Sequence, residues 1–378
     1  MKTATLALAA ASLLQLTLAQ PFRARPHQHQ HEKKNAEPDK VVIIYQNADG
    51  QPTSTTTSTI GSPTIASEVK PVVAQQGKAQ APSETTAAKS STGNGDAGNG
   101  NGFSYSPYKG DENSHAIKTQ DDVNKDLSGI PDGYSLIRLY GTDQHQTKLI
   151  LDSPATKSKG WKVFAGIFDI EDGKLENCVK ELVADVAGRW DRIHTVSVGN
   201  EKVNFGASPD FIVGQMDKAR TMLKAAGYGG FVVTTDTLFA TVDHPILCDK
   251  SDYCAVNCHP FFDQNVAASE SGNFLKTQMG NLRSKLAKKD QRIVITETGW
   301  PFQGTPNGAG VPSRDNQKAA IRSIKDAFKS NPQDVILFNS FNRLWIADNE
   351  NTHEAEKFWG FLGDESDGNY HKAPSEIS

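Results

Sequence analysis

From residue 102 onward the chain alternates short apolar runs with longer amphipathic stretches, and that alternation leaves few folds open. Eight runs, at 103–105, 136–140, 162–168, 195–198, 231–235, 253–257, 292–296 and 335–338, are rich in β-branched and aromatic residues and read as buried strands. The stretches between them carry helix punctuation. One begins at Ser208 with Pro209 in its first turn, presents Ile212, Met216, Ala219 and Leu223 on one face, and stops at Gly227. Another begins at Ser313 and aligns Ala320, Ile324 and Phe328; a third carries Phe274, Leu282 and Leu286. Eight strand–helix units in about 275 residues predict an α/β fold of the (β/α)8 TIM-barrel type. An open doubly wound sheet would usually carry a Gly-rich dinucleotide fingerprint after its first strand, and none is present.

A barrel of this kind places its chemistry at the C-terminal ends of the strands. Two of the apolar runs end in an acid there: V-S-V-G-N-E closes on Glu201 after the fourth strand, and V-I-T-E-T-G-W-P holds Glu297 at the end of the seventh. An apolar buried strand has no structural use for a carboxylate at its tip. Strands four and seven lie on opposite sides of a small barrel, so their tips can converge across its mouth. Two facing carboxyl groups about 5–5.5 Å apart are what glycosidic cleavage with retention of configuration needs. Asn200, beside the first acid, can hold a sugar hydroxyl. Trp300, close after the second, offers a face on which a sugar can stack.

The rest of the chain bounds the setting. Lys2, an apolar run from Ala4 to Leu18 and the small residues Thr17 and Ala19 predict a secretory signal peptide over 1–19. Residues 20–101 read as a disordered, Ser/Thr-rich tail, with one strand-like piece at 41–45, an O-glycosylated-stalk composition at 52–67 and a Gly/Asn hinge at 93–102. His27, His29 and His31 read as part of a solvated propeptide rather than a metal site. The catalytic domain is expected over 102–378. A net charge of −4 argues against nucleic acid or an anionic membrane as partner, and no lipid-anchor tail is recognisable. Of the four cysteines, Cys178 falls on the inward face of a helical pattern. Cys254 and Cys258, four apart on one strand, read as small core residues, and Cys248 is the candidate to pair.

V-G-N-E at 198–201 and T-E-T-G-W-P at 296–301 resemble the two signatures of family 17 glycoside hydrolases, the β-1,3-glucanase family. I-R-L-Y-G-T-D (137–143), A-V-N-C-H-P-F-F (255–262) and K-F-W-G-F-L (357–362) resemble the same family, and the Ser/Thr-rich tail resembles that of fungal soluble cell-wall proteins within it. The resemblance implies Glu201 as general acid/base and Glu297 as nucleophile. It places Arg138 and Asn200 near the nucleophile and the substrate 2-hydroxyl, with His259 in their network. It makes Tyr105, Tyr140, Phe262, Trp300 and Trp345 candidate sugar platforms. No cofactor or metal is implied. The implied substrate is cell-wall β-1,3-glucan, handled by a secreted monomer through hydrolysis or transglycosylation. The alternative is a catalytically silent wall protein that binds glucan or adheres. Lys202, next to the acid/base, departs from the family pattern; reaching Glu201 would depress that acid, and strand alternation predicts that it points away.

Overall fold

The computed structural model describes residues 40–46, 52–59 and 98–362, apart from 115, 172 and 349. The expected signal peptide, the histidine-rich segment and most of the expected tail lie outside the described residues. Within the tail segment, Lys40–Gln46 and Pro52–Thr59 pair as a two-stranded antiparallel hairpin, Val42 opposite Thr57 and Ile44 opposite Thr55. The run at 41–45 thus forms the strand its composition suggests. Its partner comes from the stalk-like segment, whose β-branched threonines suit an extended pairing.

Residues 101–337 build a closed barrel. Its strands are β1 (Asn101–Ser104), β2 (Tyr134–Arg138), β3 (Lys162–Ile167), β4 (Ile193–Asn200), β5 (Phe231–Thr237), β6 (Cys254–Asn257), β7 (Ile293–Thr298) and β8 (Val335–Leu337). Each pairs in parallel with its neighbours in sequence, and β8 closes on β1. This is the (β/α)8 TIM barrel that the alternation predicts. The first strand starts at Asn101, so the end of the expected hinge already belongs to the barrel; Asn101 Nδ2 donates to the Pro332 carbonyl at 3.0 Å.

Two packed layers follow from strand alternation. Leu136, Phe164, Val233, Ala255, Val294 and Ile336 form one cluster. The intervening strand residues, such as Ile137, Val163, Val232, Val256 and Ile295, join a larger cluster with helix side chains. The first set fills the barrel interior and the second cements strands to helices. The punctuation read in the sequence is obeyed: helices span Pro209–Ala225 after Ser208, Ser271–Lys285, and Arg314–Ala327, where the Ser313 side chain accepts the Asn316 N–H.

Cys248 pairs as expected, and its partner is one of the cysteines read as core. Cys248, on the short helix Ile246–Asp249, is disulfide-bonded to Cys254 at the start of β6, with Cα atoms 4.3 Å apart. Cys254 is therefore a bridge partner, not only a core residue, because the helix immediately before the strand folds back over its first residue. Cys258 stays free and buried, and Cys178 is half-buried. Among the described residues no helix is long and apolar enough to cross a membrane.

Candidate active site

Both strand-end acids sit where the backbone leaves regular strand geometry. The β4–β5 register shifts between Ser197 and Asn200, at Gly199, whose φ of 81° is open to glycine at little cost. The β6–β7 register shifts between Val256 and Asn257, so that Asn257 pairs with Glu297. Bulges of this kind re-aim side chains and collect beside active sites. Here they bring Thr296 and its neighbour Glu297 into one network. Gly299 is required by close packing, since a Cβ there would lie 2.1 Å from the Phe338 carbonyl oxygen.

Glu201 and Glu297 are each 1% exposed, and Arg138 as little. Arg138 Nη1 donates to Glu297 Oε1 at 2.9 Å, to Asn257 Oδ1 at 3.1 Å and to the Thr296 carbonyl at 2.7 Å, while Nη2 reaches Asn200 Oδ1 at 2.7 Å. The Asn257 amide is fixed by these partners. Its oxygen accepts from Arg138 and from Thr296 Oγ1 (2.8 Å), so its Nδ2 must face the acceptors opposite: Asn200 Oδ1 at 3.2 Å and Glu201 Oε1 at 2.7 Å. One amide thus links the two carboxylates' surroundings. His259 Nε2 lies 3.3 Å from Glu297 Oε2.

The electrostatics follow from these contacts. Burial alone would push the Glu297 carboxyl up; Arg138, the His259 hydrogen bond and Arg343 outweigh it and hold the group below the usual glutamate value. Burial lowers His259, against the pull of Glu297, which favours a neutral ring donating from Nε2. Removing either partner of the fully buried Arg138–Glu297 pair would leave an uncompensated charge, a loss of roughly 3–5 kcal/mol.

The remaining sequence candidates separate. Tyr140 lies against Arg138, its ring centroid 4.7 Å from the guanidinium carbon, and supports the arginine instead of presenting an open face. Phe262 lines a cavity of about 270 Å³ beside Glu201, along with Val203, Asn204, Phe239 and His259. Trp300 is fully buried, its indole N–H on the Val311 carbonyl at 3.1 Å, and is a packing residue rather than a sugar platform. Tyr105 is also fully buried; its hydroxyl donates to Asp126 Oδ2 at 2.7 Å, a carboxylate shared with Lys118, so no sugar can reach its ring. Trp345 is buried against Tyr108, ring centroids 4.8 Å apart. Lys202 turns away from Glu201, its Nζ 3.4 Å from Glu171 Oε1 and 4.3 Å from the Phe168 ring centroid.

Sequence reasoning missed Asn257 and Asp236. Both are polar residues at the ends of apolar strands, the same signal that selected the two glutamates.

Residues 102–360 match the BtgE/BtgC glycoside hydrolase domain. The chain belongs to that family. This BtgE/BtgC member is 41% identical over 267 residues to the cell surface mannoprotein MP65 of Candida albicans, a match covering 70% of this chain and 67% of that one. It is equally identical over 268 residues to the probable family 17 glucosidase SCW4 of Saccharomyces cerevisiae, covering 70% and 65%. The chain thus spans about two thirds of the length of the curated relatives it matches. Among solved structures it resembles an active-site mutant of the Rhizomucor miehei β-1,3-glucanosyltransferase in complex with laminaritriose, with a TM-score of 0.58, 18% identity, and 73% of this chain and 98% of that one covered. The Cryptomeria japonica pollen β-1,3-glucanase CJP38 is similar at a TM-score of 0.54 and 17% identity, over 74% and 99%. At such identities the likeness establishes the fold. The family 17 resemblance carried by the two glutamate motifs is met.

Proposed function

We propose that the chain is a secreted retaining glycosidase that cleaves β-1,3-glucan in the cell wall and passes the glycosyl unit to water or to a sugar hydroxyl. One observation carries this reading: two buried strand-end glutamates share a hydrogen-bonded network yet stand in unlike surroundings. Glu297, held ionised by Arg138, attacks the anomeric carbon and forms the glycosyl–enzyme ester. Glu201 gives its proton to the departing glycosidic oxygen as that C–O bond breaks. In the second half, water or an acceptor hydroxyl attacks the same carbon, its proton passes to Glu201, and Glu297 leaves as the carboxylate. Each step inverts the anomeric centre, so the sum is retention. The names of the curated and structural relatives support the substrate class. Secretion is supported by the expected signal peptide and by the Cys248–Cys254 disulfide, a bond that persists in oxidising compartments.

The test is incubation of the secreted protein with reduced laminari-oligosaccharides, products followed by mass spectrometry, beside a Glu297→Gln control. Shorter products alone identify hydrolysis, and products longer than the donor identify transfer. Binding without turnover would replace the enzyme reading with that of a glucan-binding wall protein.

A further inference from the structure

Glu201 has a backbone φ of 54°, in the left-handed region that a residue with a Cβ adopts only at a cost. Something must hold that conformation. The Glu201 N–H donates to the Thr235 carbonyl of β5 at 2.9 Å, and the turn beyond it is closed by Phe205 N–H to the Glu201 carbonyl (3.1 Å) and Ala207 N–H to the Lys202 carbonyl (2.9 Å). Two further N–H groups of the turn, with one from the end of β5, are gathered by one side chain. Asp236, at the end of β5 and 2% exposed, accepts from Val203 N at 2.8 Å through Oδ2, and from Asn204 N at 3.1 Å and Thr237 N at 2.9 Å through Oδ1.

This is a costly arrangement. Burial lifts the Asp236 carboxyl to about 6 despite three N–H donors that favour its charge. An amide at 236 could serve Asn204 and Thr237 through its oxygen, but would then turn an NH2 toward the Val203 N–H. A carboxylate is the group that satisfies all three. The Thr237 hydroxyl extends the clamp, accepting from Ala240 N at 3.2 Å and donating to Asn204 Oδ1 at 3.4 Å, so the turn after Glu201 is tied to the cavity wall formed after β5.

We propose that Asp236 is a positioning residue for proton transfer: by clamping the turn after β4 it sets the Glu201 carboxyl toward the leaving oxygen. The proposal rests on the reading of Glu201 as acid/base. It predicts a defect in proton delivery and not in the nucleophile, which stands on β7 among other partners.

The experiment compares wild type, Asp236→Asn and Asp236→Glu on two donors. One is an unactivated β-1,3-oligosaccharide, whose leaving oxygen needs a proton. The other is a 2,4-dinitrophenyl β-laminarioside, whose leaving group departs without one. A stoichiometric 2-deoxy-2-fluoro glycosyl label counts folded sites, and kcat/KM per labelled site reports the first chemical step. In Asp236→Asn the oligosaccharide value should fall about 30-fold or more, a part of the roughly 10²–10⁴-fold that general acid catalysis supplies. The dinitrophenyl value should stay within about threefold, since that step leaves the acid idle. Equal losses on both donors, or no loss on either, would overturn the proposal. If Asp236→Asn takes no label, Asp236→Glu is read by the same split; two unlabelled variants would mean that the carboxylate supports the fold and not the acid, and would also overturn it. Wild type inert on both donors would instead overturn the glycosidase reading.

Discussion

The two glutamates are the same residue at equivalent ends of apolar strands, yet the fold treats them differently. Glu297 lies inside β7, beside a register shift, and faces a buried guanidinium and an imidazole. Glu201 lies one residue past β4, in left-handed backbone, and faces a neutral amide. One carboxyl is set by charge and the other by backbone geometry. A group that must stay ionised is served by cations. A group that must gain and lose a proton is better served by neutral partners and a firmly held main chain.

The sharpest way to break that comparison is to neutralise each acid in turn. Glu297→Gln and Glu201→Gln should each cost about 10⁴-fold or more on oligosaccharide. Azide should restore turnover of a dinitrophenyl donor to Glu201→Gln, giving the β-glycosyl azide, whereas any azide product of Glu297→Gln should be the inverted α-glycosyl azide. The same anomer from both, or no azide product from either, would erase the distinction. Next in size is Arg138→Met. Losing the cation should lower kcat on the order of 10²-fold. It should also move the acid limb of the kcat/KM profile to higher pH. The sign follows from the balance at Glu297: Arg138 opposes burial, so without it burial wins, the carboxyl holds its proton to higher pH, and the ionised nucleophile is reached later. A profile that stays put would mean that Arg138 does not set the charge of Glu297.

Smaller effects mark where the comparison stops. Cys248→Ser opens a short loop remote in kind from the acid network. It should cost about 2 kcal/mol of stability by loop entropy, read as a lowered thermal midpoint, with kcat little changed. Lys202→Ala should be nearly silent, within about twofold in kcat/KM, because its ammonium lies on a half-exposed glutamate and an aromatic ring, away from its neighbour. A shifted alkaline limb in that variant would show that Lys202 reaches Glu201 after all.

The barrel was legible because its strands are buried on both faces, so each reads as a continuous apolar run whatever its exact ends. The glutamates were legible as violations of those runs. Asn257 and Asp236 are violations too, one in A-V-N-C and one in T-T-D-T, but neutral or isolated polar residues carry no immediate chemistry and pass as strand ends. The aromatic candidates were not separable in advance. Trp300 and Phe262 look alike in sequence, and only the packing of the loops beyond β6 and β7 decides that one is sealed in the core and the other lines a cavity. Pairing of Cys248 with Cys254 depends on a four-residue helix that no periodicity could announce.

The central claim is that Glu297 forms a covalent bond to the sugar while Glu201 handles the proton. The most direct measurement is mass spectrometry of the protein after reaction with a 2,4-dinitrophenyl 2-deoxy-2-fluoro-β-laminarioside, followed by peptide mapping. The account predicts one glycosyl unit per chain, on the peptide that carries Glu297. A label on Glu201, or turnover of the parent oligosaccharide to an inverted sugar with no label at all, would contradict it.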